Sequence, residues 1–280
     1  MTDKHDLFGD RMKAYEAVET DRVLDAALPI YARIDGRSFS AFTRRMQRPF
    51  DERMSGAMIA TTKHLVEETL PRIAYTQSDE ISMVWLYEGE SQPLFGGKVH
   101  KLTSVLASLA AAAFQLEVRR AFGDDAERLA GMLPHFDARV FQLPSKIEAA
   151  NAILWRALDA RKNAVSMATR AHFSARAMFG QDQTAMRSML QGVGVEFEDY
   201  PPRFKRGTFL RRILIERGLT DAELARIPEK HRPAPGALVT RSVVSEIDMP
   251  PFNTVTNRVA VMFEAAEPVT SAEITAGDAD

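Results

Sequence analysis

Between residues 28 and 142 two apolar periodicities alternate, and their order limits the folds open to this chain. Residues 28–35 (LPIYARID) alternate apolar and polar positions as a strand does. Residues 51–70 carry Met54, Met58, Thr61 and Leu65 at helical spacing, with Asp51 placed to cap the start and Pro71 to stop the run. Residues 72–77 and 80–87 return to strand character, and 89–97 reads as a loop. A long apolar helix is expected over 98–122, and FDARVFQ at 136–142 alternates again. Strand, helix, strand pair, helix, strand is the βαββαβ order of a ferredoxin-like sheet, antiparallel with two helices on one face. The expected fold class is therefore α+β.

Around that core the pattern is plainer. Leu7, Met12, Tyr15 and Val18 predict a helix over 8–22. Ser145 is expected to cap a helix running to about Leu158, with a second helix to Phe179 and a loop over 181–208. A proline-rich stretch (IPEKHRPAPGAL) precedes an expected final strand, VTNRVAVMFE. We divide the chain into a core with both acidic motifs (1–145), its helical and loop completion (146–214) and a smaller C-terminal α/β extension (215–280).

At 280 residues the chain suits one large domain or two small ones. With 45% hydrophobic residues a core is within reach. Cysteine is absent, which excludes disulfides, thiolate zinc sites and a cysteine nucleophile and fits a reducing compartment. The N-terminal residues are polar with no signal-like apolar run, and no stretch reads as a membrane span, so a cytoplasmic protein is expected. The net charge of −2 does not by itself call for nucleic acid, but basic residues cluster near 33–48, 156–176 and 203–212.

Two acids stand out because each ends or interrupts a strand. Asp35 precedes Gly36, and Asp79-Glu80 directly precedes the apolar ISMVW. Two carboxylates facing one space repel unless a cation lies between them, and magnesium takes carboxylates together with substrate phosphates. The commoner meaning of Asp-Gly is a simple turn. Adjacent residues of a strand point to opposite faces, so one of Asp79 and Glu80 can join Asp35. Asp79 is the expected partner, and Glu80 is left to hold a basic neighbour. Arg33, Arg48, Lys98 and Lys101 are candidate phosphate-binding cations, the two lysines lying three apart at a helix start. The six histidines show no ligand spacing, and no phosphate-binding loop, nucleophile elbow or dinucleotide fingerprint is present.

The succession RIDGRSFSAF, YTQSDEIS, FDARV with Pro-Ser three residues on, Leu154-Trp155-Arg156 and RFKRGT resembles the tRNA-histidine guanylyltransferase family and its guanylyltransferase-like relatives. The resemblance covers about residues 7 to 210. It implies a polymerase-palm-type core and an enzyme that adds nucleotides to the 5′ end of tRNA in the 3′–5′ direction. It implies two magnesium ions held by Asp35, the Gly36 carbonyl and Asp79, with Asp35 and Asp79 catalytic. It implies that Arg33, Arg48, Ser78, Lys98, Lys101 and Asn163 bind the nucleotide. ATP, GTP or another nucleoside triphosphate would be substrates, tRNA the partner, and a homotetramer the assembly. At 161–167 this chain has RKNAVSM where tRNA-histidine-specific members carry an Asn-rich stretch, and only Asn163 matches. Templated repair of 5′-truncated tRNA is therefore placed before addition of a single guanosine. Two other readings are a palm-type nucleotidyl cyclase and a tRNA-binding protein with a decayed site.

Overall fold

The computed structural model describes residues 7–89, 91–125, 133–234 and 236–271. In chain order the elements are α1 (Leu7–Thr20), β1 (Ile30–Gly36), α2 (Phe39–Phe42), α3 (Glu52–Thr69), β2 (Ile73–Gln77) and β3 (Glu80–Trp85). They continue with α4 (Val99–Phe122), β4 (Phe136–Gln142), α5 (Lys146–Arg170), α6 (Ala175–Met178), α7 (Gln183–Gly192) and α8 (Pro202–Arg206). The last are β5 (Thr208–Gly218), α9 (Asp221–Arg226), β6 (Leu238–Ile247) and α10 (Arg258–Phe263).

The strands form one antiparallel sheet in the order β4-β1-β3-β2-β5-β6. Its first four members and the helices α3 and α4 are the βαββαβ unit expected from the sequence. Strand parity separates two cores. Ala32 and Ile34 of β1, with Ile81, Met83 and Trp85 of β3, face α3 and α4. Tyr31, Tyr75, Val84 and Phe209 face the opposite layer, made by α5 and α10. Trp85, Tyr31 and Tyr75 are fully buried, and each such side chain contributes roughly 1.5–3 kcal/mol. Their polar tips are satisfied: Tyr31 Oη donates to Ser82 Oγ (2.7 Å), Tyr75 Oη to the Arg206 carbonyl (2.9 Å) and Trp85 Nε1 to the Thr69 carbonyl (2.7 Å). The apolar helix α4 is long enough by composition to cross a membrane, yet Leu102, Leu106, Ala110 and Phe114 pack into the sheet core.

Asp51 and Ser145 cap α3 and α5 as expected, accepting from the backbone of Arg53 and Glu148. Four expectations are corrected. First, α5 is one helix of 25 residues and does not break at Leu158. A face of small residues (Ala149, Ala150, Ala157, Ala160, Ala164, Ala168) lets it lie close to its neighbours throughout. Second, the 181–208 loop contains α7, capped by Asp182 and anchored by buried Leu190. Third, the expected final strand is α10: Val261, Met262 and Phe263 are buried against the α5 layer, and packing overrides the strand preference of its valines. Fourth, β5 runs unbroken across the 214/215 division and pairs with both β2 and β6, so the C-terminal residues extend the core sheet.

Candidate active site

The site begins where β1 ends. In the antiparallel register Asp35 lies opposite Glu80 of β3 and Asp137 of β4, so all three side chains share one sheet face. This corrects the parity expectation: Glu80, not Asp79, is the residue on Asp35's face. Asp79 lies off the strands, in the two-residue turn that joins β2 to β3. Ser78, the other turn residue, has φ 49°, a left-handed conformation costly for a serine. The Gly36 N–H donates to the Asp79 carbonyl (2.9 Å), which ties the turn to the end of β1. Asp35 and Asp79 thereby line one cavity of about 400 Å³.

Gly36 holds this corner for a steric reason. A Cβ there would lie 2.4 Å from the Phe39 ring, which packs on Phe114 and Phe136. Gly207 has a comparable role on the far side. It has φ +74°, and a Cβ would come within 2.5 Å of the Thr76 carbonyl.

The uninterrupted α5 forms the roof. Arg156, Asn163, Met167 and Arg170 recur every three to seven residues on one side and line the same cavity as Asp35 and Asp79. From 156 to 170 the helix advances about 21 Å. A break at Leu158 would have removed most of this wall. Asp79, Ser78 and Asn163 are shared with an adjoining cavity of about 300 Å³ that also takes in Arg48, Phe50 and Arg203. The RFKRGT segment reaches it through Phe204, whose ring packs on Phe50 with centroids 5.0 Å apart.

Charge is arranged unevenly. Glu80 is 5% and Arg156 8% exposed, and Arg156 Nε and Nη2 each donate to the Glu80 carboxylate at 2.6 Å. Arg156 Nη2 also donates to Asp159 (3.1 Å). Glu80 is thus paired, whereas Asp35 and Asp79 have no ion pair among the described residues. Burial, with the Asp35 charge as a further cause, pushes the Asp79 carboxyl up to about 6 against the hydrogen bond from Ser78. Asp35 is also raised, first by burial and then by Asp137, with Arg33 and Arg139 opposing. Two destabilised carboxylates beside a cleft are what a bound cation relieves.

Of the sequence candidates, Arg33, Asp35, Ser78, Asp79 and Asn163 line the first cavity and Arg48 the second. Lys98 and Lys101 are not brought to either. The start of α4 sits beside Leu24, whose N–H donates to the Gly97 carbonyl, and Lys98 pairs with Asp21 (3.1 Å). The other end of α4 places Phe114 on Phe39 and Phe122 under Arg53, near the Asp35 corner. A 24-residue helix spans about 36 Å, so its first turn belongs to the opposite end of the sheet. Arg156, Glu80, Met167 and Arg170 were missed or given lesser parts; an unbroken helical period through 156–170 would have grouped three of them.

The sequence profile of the tRNAHis guanylyltransferase family matches residues 9–144. A bacterial tRNA(His) guanylyltransferase (Thg1)-like protein solved with ATP is similar at 33% identity and TM-score 0.68, covering 73% of this chain and 88% of that one. A bacterial Thg1-like protein solved with GTP is similar at 27% identity and TM-score 0.67, covering 92% of this chain and 98% of that one. The tRNA(His) guanylyltransferase of Neurospora crassa is 29% identical over 218 residues, 71% of this chain and 72% of its own length.

Proposed function

Because the chain belongs to the tRNA(His) guanylyltransferase family and is a nucleotidyltransferase, we propose that it adds nucleotides to the 5′ end of tRNA in the 3′–5′ direction, directed by the opposite strand. The observation that carries this is the meeting of Asp35 and Asp79 in one cavity that adjoins a second lined by Arg48, Ser78 and Asn163. The departure at 161–167 favours templated repair over addition of one guanosine.

The donor set fits magnesium. Asp35 and Asp79 offer hard oxygens, Gly36 adds a carbonyl, and Glu80 is withheld by Arg156. Among the described residues no cluster of three or more acidic or histidine side chains competes for a metal. Two magnesium ions bound there would supply positive charge to the attacking and leaving oxygens.

The chain's own residues then have separate tasks. Arg48, Ser78 and Asn163 hold the incoming nucleoside triphosphate, and Arg33 offers guanidinium donors to phosphate beside Asp35. Asp35 and Asp79 must both be ionised to hold cations, and burial, which raises the Asp79 pKa to about 6 in the cation-free chain, makes cation uptake the pH-sensitive event. Arg156 fixes Glu80 and the roof helix so that the two free carboxylates keep their places. The bond made joins the 3′ oxygen of the incoming nucleotide to the 5′ phosphorus of the RNA. The bond broken releases AMP from an adenylylated 5′ end, formed first from ATP, or pyrophosphate from a 5′ triphosphate.

Asp79→Ala is expected to lower 5′ addition about a thousandfold, because loss of a cation ligand costs several kcal/mol of transition-state stabilisation. The measurement is incorporation of labelled nucleotide into 5′-truncated tRNA with magnesium, and activity within about tenfold of the parent would reject the assignment. The homotetramer belongs to the same proposal and is supported by α1, which leaves Leu7, Phe8, Tyr15 and Val18 exposed. Its mass in solution, by light scattering, tests that part.

A further inference from the structure

At the end of the sheet away from Asp79 the strands stop at different places. β2 begins at Ile73 and β3 ends at Trp85, and β5 pairs with β2 only over 208–210. β5 itself runs on to Gly218 with β6 as its partner. The notch left beside β5 is a cavity of about 480 Å³, walled by the end of α10 and by Tyr87, Ser91 and Gln92 of the loop after β3. β2 is five residues long, so roughly 17 Å of strand separates this notch from the Ser78-Asp79 turn.

Among the described residues that line the notch, Arg72, Arg211 and Arg212 are charged and none is acidic. Neighbouring residues of a strand point to opposite faces, so Arg211 and Arg212 share a cavity because the sheet stops beside them. Arg211 is 8% exposed. Its Nη1 donates to the Ala266 carbonyl (3.1 Å) and its Nη2 to Glu267 (2.8 Å), but Nε, also buried, has no partner among the described residues. A buried donor left unpaired is costly. Arg212 Nε donates to Ser242 Oγ (2.9 Å), and Arg212 has no ion pair among the described residues. The one carboxylate on Arg211 is loosely placed: the Glu267 side chain is 82% exposed and follows Ala265, whose φ of 56° is unfavourable for a residue with a Cβ.

Nε and Nη2 form one edge of a guanidinium, and that edge takes a carboxylate or phosphate through two parallel hydrogen bonds. In Arg211 Glu267 occupies half of it. The rest of the notch is apolar, with Leu70, Pro71, Tyr87, Met262 and Phe263 along its wall. We propose that the notch is a second binding site, for a small organic anion: a carboxylate or phosphate carried on an aromatic or aliphatic body. The anion takes the Arg211 edge in place of Glu267, Arg212 adds its charge, and the body lies against Tyr87, Met262 and Phe263. The volume is that of a small-molecule site. A guanidinium this deeply buried is out of reach of a polymer's phosphate chain, which separates the notch from an RNA contact. The site stands apart from the nucleotidyl transfer proposed above and does not depend on it.

The test is calorimetric titration of the full-length protein with phenyl phosphate and with benzoate, using benzyl alcohol as the uncharged control and repeating each titration with GTP present. At least one of the two anions is expected to bind saturably, benzyl alcohol at least about tenfold more weakly, and GTP should not displace the anion. Whichever of phenyl phosphate and benzoate binds more tightly identifies the anionic group. Arg212→Ala, at a half-buried position, should weaken the anion about tenfold, and Arg211→Lys, which keeps the charge and loses the two-pronged edge, by a similar factor. Glu267→Gln removes the competing carboxylate and should tighten binding about threefold, a direction that a purely structural role for these residues does not give. No saturable binding of either anion below about 10 mM, equal binding of benzyl alcohol, displacement by GTP, or anion affinity unchanged in both Arg212→Ala and Glu267→Gln would each overturn the site. Nucleotide addition by the same samples reports separately on the reaction, so a chain that transfers nucleotides and ignores both anions rejects the notch alone.

Discussion

Asp79 is the residue whose environment is most at odds with its charge. Its pKa of about 6 in the folded chain lies above the ordinary carboxylate value, so the folded state holds the proton more tightly than the unfolded state does. Stability from this group is present below pH 4 and is lost as pH rises through about 6. In protein stripped of divalent cations, Asp79→Asn is therefore expected to stabilise the fold at pH 8 by on the order of 2 kcal/mol and to change little near pH 4. Urea unfolding with a chelator at the two pH values checks this. Added magnesium should stabilise the parent at pH 8 and leave the variant unmoved. The Glu80–Arg156 pair is the opposite case, two buried charges that satisfy each other. Arg156→Ala strands a buried carboxylate and should cost about 3–5 kcal/mol, whereas Glu80→Gln with Arg156→Met should recover much of it. A double variant as unstable as the single one would show that the pair does more than compensate its own burial.

At the scale of elements, α3 and α5 set the site, and each owes its start to one capping residue. Asp51 accepts from the backbone of Gln47 and Arg53 and from the Arg53 side chain (2.9–3.1 Å). Burial alone would raise its pKa, but the hydrogen bonds from Arg53 and Gln47 outweigh it and hold the carboxyl below the ordinary range. Its stabilisation is present above about pH 4 and fades as pH falls through the lowered value. Asp51→Ala is expected to cost about 1–2 kcal/mol at pH 7 and less in acid, measured by thermal unfolding across pH. The start of α3 was legible because a cap, a helical period and a following proline all agree. The length of α5 was less so, because Arg156, Asn163, Ser166 and Arg170 put polar residues on the side that forms the cavity wall. A helix face that serves a polar site looks, in one dimension, like the end of a helix.

At the scale of the whole molecule, the sheet is continuous from β4 to β6 and the α5 core draws on both halves of the chain. Phe209, Met249, Phe252 and Val261 pack there with Tyr31, Tyr75 and Ile153. A chain ended after Gly207 would uncover Tyr75 and Ile73, so it is expected to lose its near-ultraviolet circular dichroism, while the full chain unfolds in a single transition. Two separated transitions would instead support an independent C-terminal unit.

The alternation of strand and helix, the caps at Asp51 and Ser145 and the acids at 35 and 79 were decided by the sequence alone. Periodicity and capping are local properties, carried by residues a few positions apart. Tertiary structure decided the rest: that Glu80 shares Asp35's face while Asp79 reaches the cavity from a turn, that α5 continues as a roof, and that Lys98 and Lys101 stand at the far end of the sheet. Those outcomes depend on strand register and on the direction in which a long helix crosses the sheet. Both are set by contacts between residues dozens of positions apart, which no local pattern records.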